Sequence, residues 1–233
     1  IISKKISKLI KICKKRKIFL IEDAAHAHGS YLSKKLNAGT IGDIGCFSFY
    51  PTKVMTTGEG GMITTNNKSL YSKMNSYKNF GRGQNPNFIN FFGTNSKMSE
   101  FTAILGILEL ERIKKRINKR KALVMRYVKN LKNNDNYEVI IQSKGRSSYY
   151  KCIIKTKIKS KLIEKYCMKN GIQLTGKVWN TPIHKQKIFK KYLNKKDKFI
   201  NSENFSEYHI CPPNYPELTF DDIDYVCSIL NKI

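Results

Sequence analysis

Acidic residues are scarce in this 233-residue chain: 17 Asp and Glu stand against 44 Lys and Arg, a formal net charge of +27. Such a deficit invites a nucleic-acid reading, but the kind of base argues against it. The excess is mostly Lys, spread along the chain among Ile and Asn, whereas bidentate recognition of phosphate and guanine favours Arg. Runs such as KICKKRK (11–17) and ERIKKRINKRK (111–121) fall on helix-like segments and read as solvated faces. The bias is therefore read as compositional, although it still draws in anionic small molecules.

Paired cysteines are also missing. The six at positions 13, 46, 152, 167, 211 and 227 show no CxxC spacing, which argues against a zinc ribbon or a thioredoxin motif. No apolar run approaches the roughly 18 residues needed to cross a membrane, and no signal peptide is visible. A cytoplasmic protein with reduced thiols is expected. Position 1 is Ile, and the first residues read as the tail of a basic helix, so the chain reads as a piece of something longer. Its 40% hydrophobic content suffices for one substantial core, or a core plus a smaller lobe.

Along the chain, KIFLIED (17–23) predicts a buried parallel strand carrying functional groups at its carboxyl end, with a turn at Gly29. GDIGCFSFY (42–50) predicts a second strand, closed by Pro51, and GGMITTN (60–66) a third. Helices are expected over 68–79 and, most strongly, from Ser99 to about Lys132. That long helix reads as apolar on one side of its first half and mostly basic in its second. Beyond it, YEVIIQ and YYKCIIK read as paired strands, KSKLIEKYCMKNG as a helix stopped by Gly171, and IQLTG as another strand. A final helix starts near Phe220 with Thr219 and Asp222 in capping-box spacing. A domain boundary is expected near residue 130.

Three features bear on chemistry. Asp23 ends an apolar strand, where a carboxylate needs a cation or several N–H donors, unless it simply caps the following turn. His26 and His28, with Asp23 and Cys46 nearby, lack the spacing of a metal site and read as hydrogen-bonded histidines beside a pocket; no metal is expected. Lys53 stands in a turn among Ser48, Thr52, Thr56 and Thr57, with Gly58, Gly60 and Gly61 allowing close backbone approach. Hydroxyls and free N–H groups around one lysine are the ingredients of a phosphate cradle, yet the P-loop order is absent. From spacing alone, three readings stand level: a phosphate-binding point charge, a desolvated Schiff-base nucleophile, and an exposed turn lysine.

The pairing of IEDAAHAHG with GDIGCFSFYPTKVMTTGEGGMITTN resembles the DegT/StrS-type sugar aminotransferases, fold-type-I enzymes that use pyridoxal 5′-phosphate (PLP). GTNSKMSEFTAILGILELERI (93–113), GIQLTGKVWNTPIH (171–184) and CPPNYPELTFDDIDYV (211–226) are similar to later family segments in collinear order. The resemblance implies an α/β fold: part of the large domain's mixed or parallel sheet over residues 1–130, and a small α+β C-terminal domain over 131–233. It implies that Lys53 is the Schiff-base lysine and that Asp23 pairs with the pyridine nitrogen. It further places His26 near the ring hydroxyl and Ser48 at the phosphate. Asn95 would reach the phosphate of a neighbouring subunit's cofactor, hence a homodimer with shared sites. Lys97 and His184 would face substrate.

The implied reaction moves an amino group from an amino acid, glutamate being the expected donor, to a keto-sugar nucleotide in amino-sugar and polysaccharide biosynthesis. Retention of Lys53 argues against the dehydratase branch, in which His replaces it. Two departures stand out. Lys97 occupies a position usually held by Arg, turning a planar contact into a point charge. The family's N-terminal portion has no counterpart here, so an open sheet edge and an incomplete site are expected. The alternatives are an incomplete or inactive relative serving as a dimerisation partner and, less favoured, a basic nucleic-acid-binding protein.

Overall fold

The computed structural model describes residues 2–3, 5–194 and 196–233. The chain divides into two compact units, Ile1–Ile117 with Gln142–Ser148, and Asn118–Ile141 with Tyr149–Ile233.

In the first unit, α1 (Ile6–Lys15) leads to β1 (Ile21–Asp23), the short hairpin β2 (Tyr31–Ser33) and β3 (Leu36–Asn37), then β4 (Ile44–Ser48) and β5 (Gly61–Thr64). Strands β1, β4 and β5 form a mixed sheet in that order; β1 runs parallel to β4, with Asp23 opposite Cys46, and β5 runs antiparallel. The parallel start expected from KIFLIED is present, but it is short and not buried. Ile18 and Phe19 are exposed and Ile21 is 61% exposed. β1 is an edge strand, and its outer side chains meet no covering layer within the unit. Helix α2 (Lys68–Tyr77) starts where Asn67 accepts hydrogen bonds from the Ser69 and Leu70 N–H groups.

Helix α3 (Glu100–Leu131) matches the long helix expected, but its faces behave differently from expectation. The apolar residues of its first half are exposed: Phe101 at 83%, with Ile104, Leu105, Ile107 and Leu108 also open. The half expected to be mostly basic buries Leu123, Val124, Tyr127 and Leu131 in a core. Four apolar side chains at helical spacing among the lysines suffice to make a seam.

That core belongs to the second unit. Its antiparallel sheet has the order β6 (Tyr137–Val139), β7 (Ile154–Thr156), β8 (His209–Ile210). Helices α4 (Ser160–Lys169), α5 (Ile200–Glu207) and α6 (Phe220–Leu230) complete it, with 3₁₀ turns at Ile183–Lys185 and Lys187–Tyr192. The Arg126 guanidinium forks onto Asp224 at 2.6 and 2.5 Å, and Asn130 donates to the same carboxylate at 2.6 Å, clamping α3 to α6. Thr219 and Asp222 form the capping box read from the sequence. Gly171 ends α4 with φ +72°.

IQLTG is not a strand. Thr175 binds the Cys211 carbonyl through both its N–H and its hydroxyl. The Lys151 ammonium takes the carbonyls of Thr175, Gly176 and Lys177 at 3.0–3.2 Å. The end of the run is thus held by a side chain and by the Cys211 carbonyl instead of by a strand ladder.

Candidate active site

The parallel register explains how residues far apart in sequence meet. With Asp23 opposite Cys46, Ser48 lies two residues further along β4, at the same carboxyl end of the sheet. Ligand sites of open α/β sheets form at this end.

Lys53 follows directly. Its N–H closes a turn on the Tyr50 carbonyl at 3.0 Å, and buried Val54 and Met55 anchor the chain behind it. The Thr57 N–H and the Thr56 hydroxyl both bind the Phe49 carbonyl, at 3.0 and 2.8 Å. The Thr57 hydroxyl donates to the Glu59 carbonyl at 2.6 Å. The hydroxyls of Thr56 and Thr57, counted from the sequence as cradle groups, are therefore committed to shaping the turn that presents Lys53. Gly60, at φ +141°, serves the same turn, because a side chain there would strike the Thr57 hydroxyl.

Asp23 is exposed, and its Oδ1 accepts the Ala25 N–H at 3.1 Å. The turn-capping role left open in the sequence is thus present, and it occupies one carboxylate oxygen only. The following loop carries His26 and His28 back toward β4. His26 is exposed, and its carbonyl accepts the Ser148 hydroxyl at 2.6 Å. His28 is 4% exposed, with Phe47 and Phe49 at ring-centroid distances of 5.3 and 5.9 Å. Neither of its ring nitrogens has a well-formed hydrogen bond, although the Ser48 backbone is a polar neighbour. Burial, with Lys53 and then His26 adding cationic charge, lowers its pKa to about 4. A neutral imidazole at neutral pH is the consequence, and the same interactions place His26, His28 and Lys53 in one neighbourhood.

Glu22 is a residue that spacing did not single out. It faces away from Asp23 on β1 and accepts three backbone N–H groups: Gly39 at 2.9 Å, Ile41 at 2.6 Å and Gly42 at 2.8 Å. The bend entering β4 is built on this carboxylate. The only sequence signal was a second acid beside Asp23, on the opposite face of a period-2 strand.

Ser48 Oγ accepts the Tyr50 N–H at 3.4 Å. Asn95 is exposed on a loop held to α2 by the Asn79–Asn95 bridge and by Thr94 N–H on the Tyr77 carbonyl. Lys97 is exposed, with Nζ 5.7 Å from the Phe80 ring centre. His184 belongs to the second unit, where it pairs with Glu203 at 2.9 Å and stacks on Phe199 at 4.5 Å. Among the described residues, no three His, Cys, Asp or Glu side chains gather where a metal ion would sit. No described helix is long and apolar enough to cross a membrane.

A carboxylate at the end of β1, a hydroxyl at the end of β4 and an amine on the turn after it form a donor set that suits PLP, whose ring nitrogen, phosphate and aldehyde need those chemistries.

The model of the DegT/DnrJ/EryC1/StrS aminotransferase family matches residues 3–231, and the chain belongs to that family. It is similar to a GDP-perosamine synthase from Escherichia coli O157:H7, 30% identical over 231 residues, 96% of this chain and 60% of the relative. A dTDP-4-amino-4,6-dideoxy-D-glucose transaminase from Shigella dysenteriae is 29% identical, with 95% and 61% covered. The solved structure of a DegT DnrJ EryC1 StrS aminotransferase from Brucella abortus shares the fold at TM-score 0.90 and 24% identity, covering 99% of this chain and 61% of that one. The chain thus spans about three fifths of these relatives' length.

Proposed function

We propose that this chain is part of a PLP-dependent aminotransferase that transfers an amino group from an amino acid, with glutamate as donor, to a keto-sugar carried on a nucleotide. In this reading residues 1–130 form the later portion of the cofactor-binding domain and residues 131–233 the small domain. The observation that carries it is the parallel register of β1 and β4, which brings Asp23, Ser48 and the Lys53 turn to one end of the sheet.

When bound, PLP supplies an electron sink for charge developing at the substrate carbon. Lys53 would hold it covalently through Nζ and, once displaced by the incoming amine, would carry a proton to and from that carbon. Asp23, with one carboxylate oxygen left over from its turn bond, would keep the ring nitrogen protonated. Ser48 would bind the phosphate through its hydroxyl, and His26 would meet the ring hydroxyl. The exposed Asn95 suits a contact to the cofactor of a second subunit in a homodimer. Lys97 would contact substrate as a point charge, and His184 would serve the substrate side.

Incubation with PLP, borohydride reduction and peptide mapping test this assignment. The expected result is one reduced adduct on Lys53, lost in Lys53→Ala. An adduct spread over many lysines, or none on Lys53, would overturn it.

A second reading is an incomplete member that associates with another polypeptide without turnover, supported by the open apolar residues on the first half of α3. A folded chain that dimerises but gives no adduct on Lys53 would favour it.

A further inference from the structure

The loop that carries His26 is held from far along the chain. Its own turns use two carbonyls: that of Ala24 accepts the Ala27 N–H, and that of Ala27 accepts the Ser30 N–H, both at 2.9 Å. The carbonyls of His26 and Gly29 are taken by residues 146–148 instead. The Ser148 hydroxyl donates to the His26 carbonyl at 2.6 Å, and Arg146 Nε donates to the Gly29 carbonyl at 3.0 Å. The Ser148 N–H adds a bond to Ser30 Oγ at 2.7 Å.

These residues belong to a built strap. Gln142–Ser148 groups with the first unit, although its ends continue at Ile141 and Tyr149 into the second. Tyr31 and Arg146 exchange two backbone bonds of 2.8 Å, and Gln142 Nε2 donates to the Tyr31 carbonyl at 2.8 Å. Gly145 has φ +73°, and a side chain there would lie 2.1 Å from that carbonyl oxygen. The Arg146 guanidinium sits over the Tyr31 ring, 5.0 Å from its centre. Ser30 and Ser148 are 3% and 2% exposed, so neither can exchange its bond for one to water.

His26 is the unusual member of the loop. Its side chain is exposed, while its carbonyl is bound by the buried Ser148 hydroxyl. An exposed ring on a pinned backbone is confined to few directions, because the backbone limits the rotamers open to it. That arrangement preorganises a group for a partner outside the fold, and Lys53 lies in the same neighbourhood.

We infer that Ser148 and Arg146 are positioning residues for the cofactor site: by holding the His26 and Gly29 carbonyls they set where the His26 ring meets the ring hydroxyl of PLP. The inference rests on the PLP reading above. It adds to that site two residues lying 122 and 117 positions beyond their partners.

Two measurements on the full chain test it. Without PLP, hydrogen exchange at the Ala27 and Ser30 amides should quicken about tenfold in Ser148→Ala. With PLP attached at Lys53, the pH midpoint of its visible absorbance change should move by about one unit in Ser148→Ala, toward the value in His26→Ala. Added to His26→Ala, the same change should move the midpoint no further, because both act through one contact. Arg146→Met keeps the aliphatic stem at a half-buried position, removes the donor and should shift the midpoint in the same direction.

Faster exchange with an unmoved midpoint overturns the inference, since the strap would then hold the loop without bearing on the cofactor. An undiminished shift by Ser148→Ala in the His26→Ala background also overturns it. Should Ser148→Ala not fold, Arg146→Met carries the same test. Failure of the parent reading is separable. No adduct on Lys53 in the parent chain removes the PLP reading and this inference with it. An adduct whose midpoint ignores both variants removes this inference alone.

Discussion

Glu22 and Ile41 are joined by a 2.6 Å hydrogen bond from backbone N–H to carboxylate, and the same carboxylate holds Gly39 and Gly42. The bend they form is crowded: a side chain at Gly45 would lie 2.2 Å from the Gly39 carbonyl oxygen. Glu22→Gln keeps the shape but removes the charge and one acceptor oxygen. A loss of about 2 kcal/mol in unfolding free energy is expected. Hydrogen exchange should speed up most at Gly39, Ile41 and Gly42. Unchanged protection at those three amides would show that the bend stands without the carboxylate.

Asp23 offers a different test, because its proposed partner is the cofactor and its protein bond is a single turn contact. Asp23→Asn can still accept the Ala25 N–H, so stability and the Lys53 adduct should survive. Transamination in an assembled, active enzyme should fall by at least about a hundredfold, through loss of a preorganised charge. Near-native turnover would remove Asp23 from the proposed role.

His28 should make the fold acid-sensitive. Its pKa is lowered from 6.5 to about 4 by burial, then by Lys53 and His26. The unfolded chain therefore takes up the proton first as pH falls, and the native state loses stability between pH 6.5 and about 4. Urea midpoints measured across that window should drop in the parent chain and drop less in His28→Leu. Equal slopes would place the titrating group elsewhere.

Asp224 acts in a lower window. The Arg126 fork and the Asn130 contact outweigh desolvation and pull its pKa from 3.8 to about 2. Its contribution is full above the unfolded value and is lost as pH falls from near 3.8 toward 2. Asp224→Asn should therefore melt below the parent at neutral pH and converge with it near pH 2. A gap that persists there would mean shape, not charge, holds α3 to α6.

Features closed within a few residues were legible in the sequence. The Thr219–Asp222 box, the Gly171 stop and the long α3 each depend on local hydrogen bonding or helical spacing. Pairing of β6 with β7 was also readable, from two β-rich runs with a connection between them. IQLTG was not, because it has strand composition while the carbonyls of its last two residues, Thr175 and Gly176, are held by Lys151, more than 20 residues away. Glu22 escaped notice for a similar reason, since its three partners lie 17 to 20 residues downstream.

By itself the sequence determined which residue types were available for chemistry: one lysine after a strand, an acid ending another, and hydroxyls and glycines between them. Local backbone rules were enough for that. Only the tertiary structure decided which groups remain for a ligand. It assigned the Thr56 and Thr57 hydroxyls to the Lys53 turn and one Asp23 oxygen to a cap. It left His28 buried and unsatisfied beside Lys53. Donors and acceptors are allotted by distance in space, and strand register and side-chain packing set those distances.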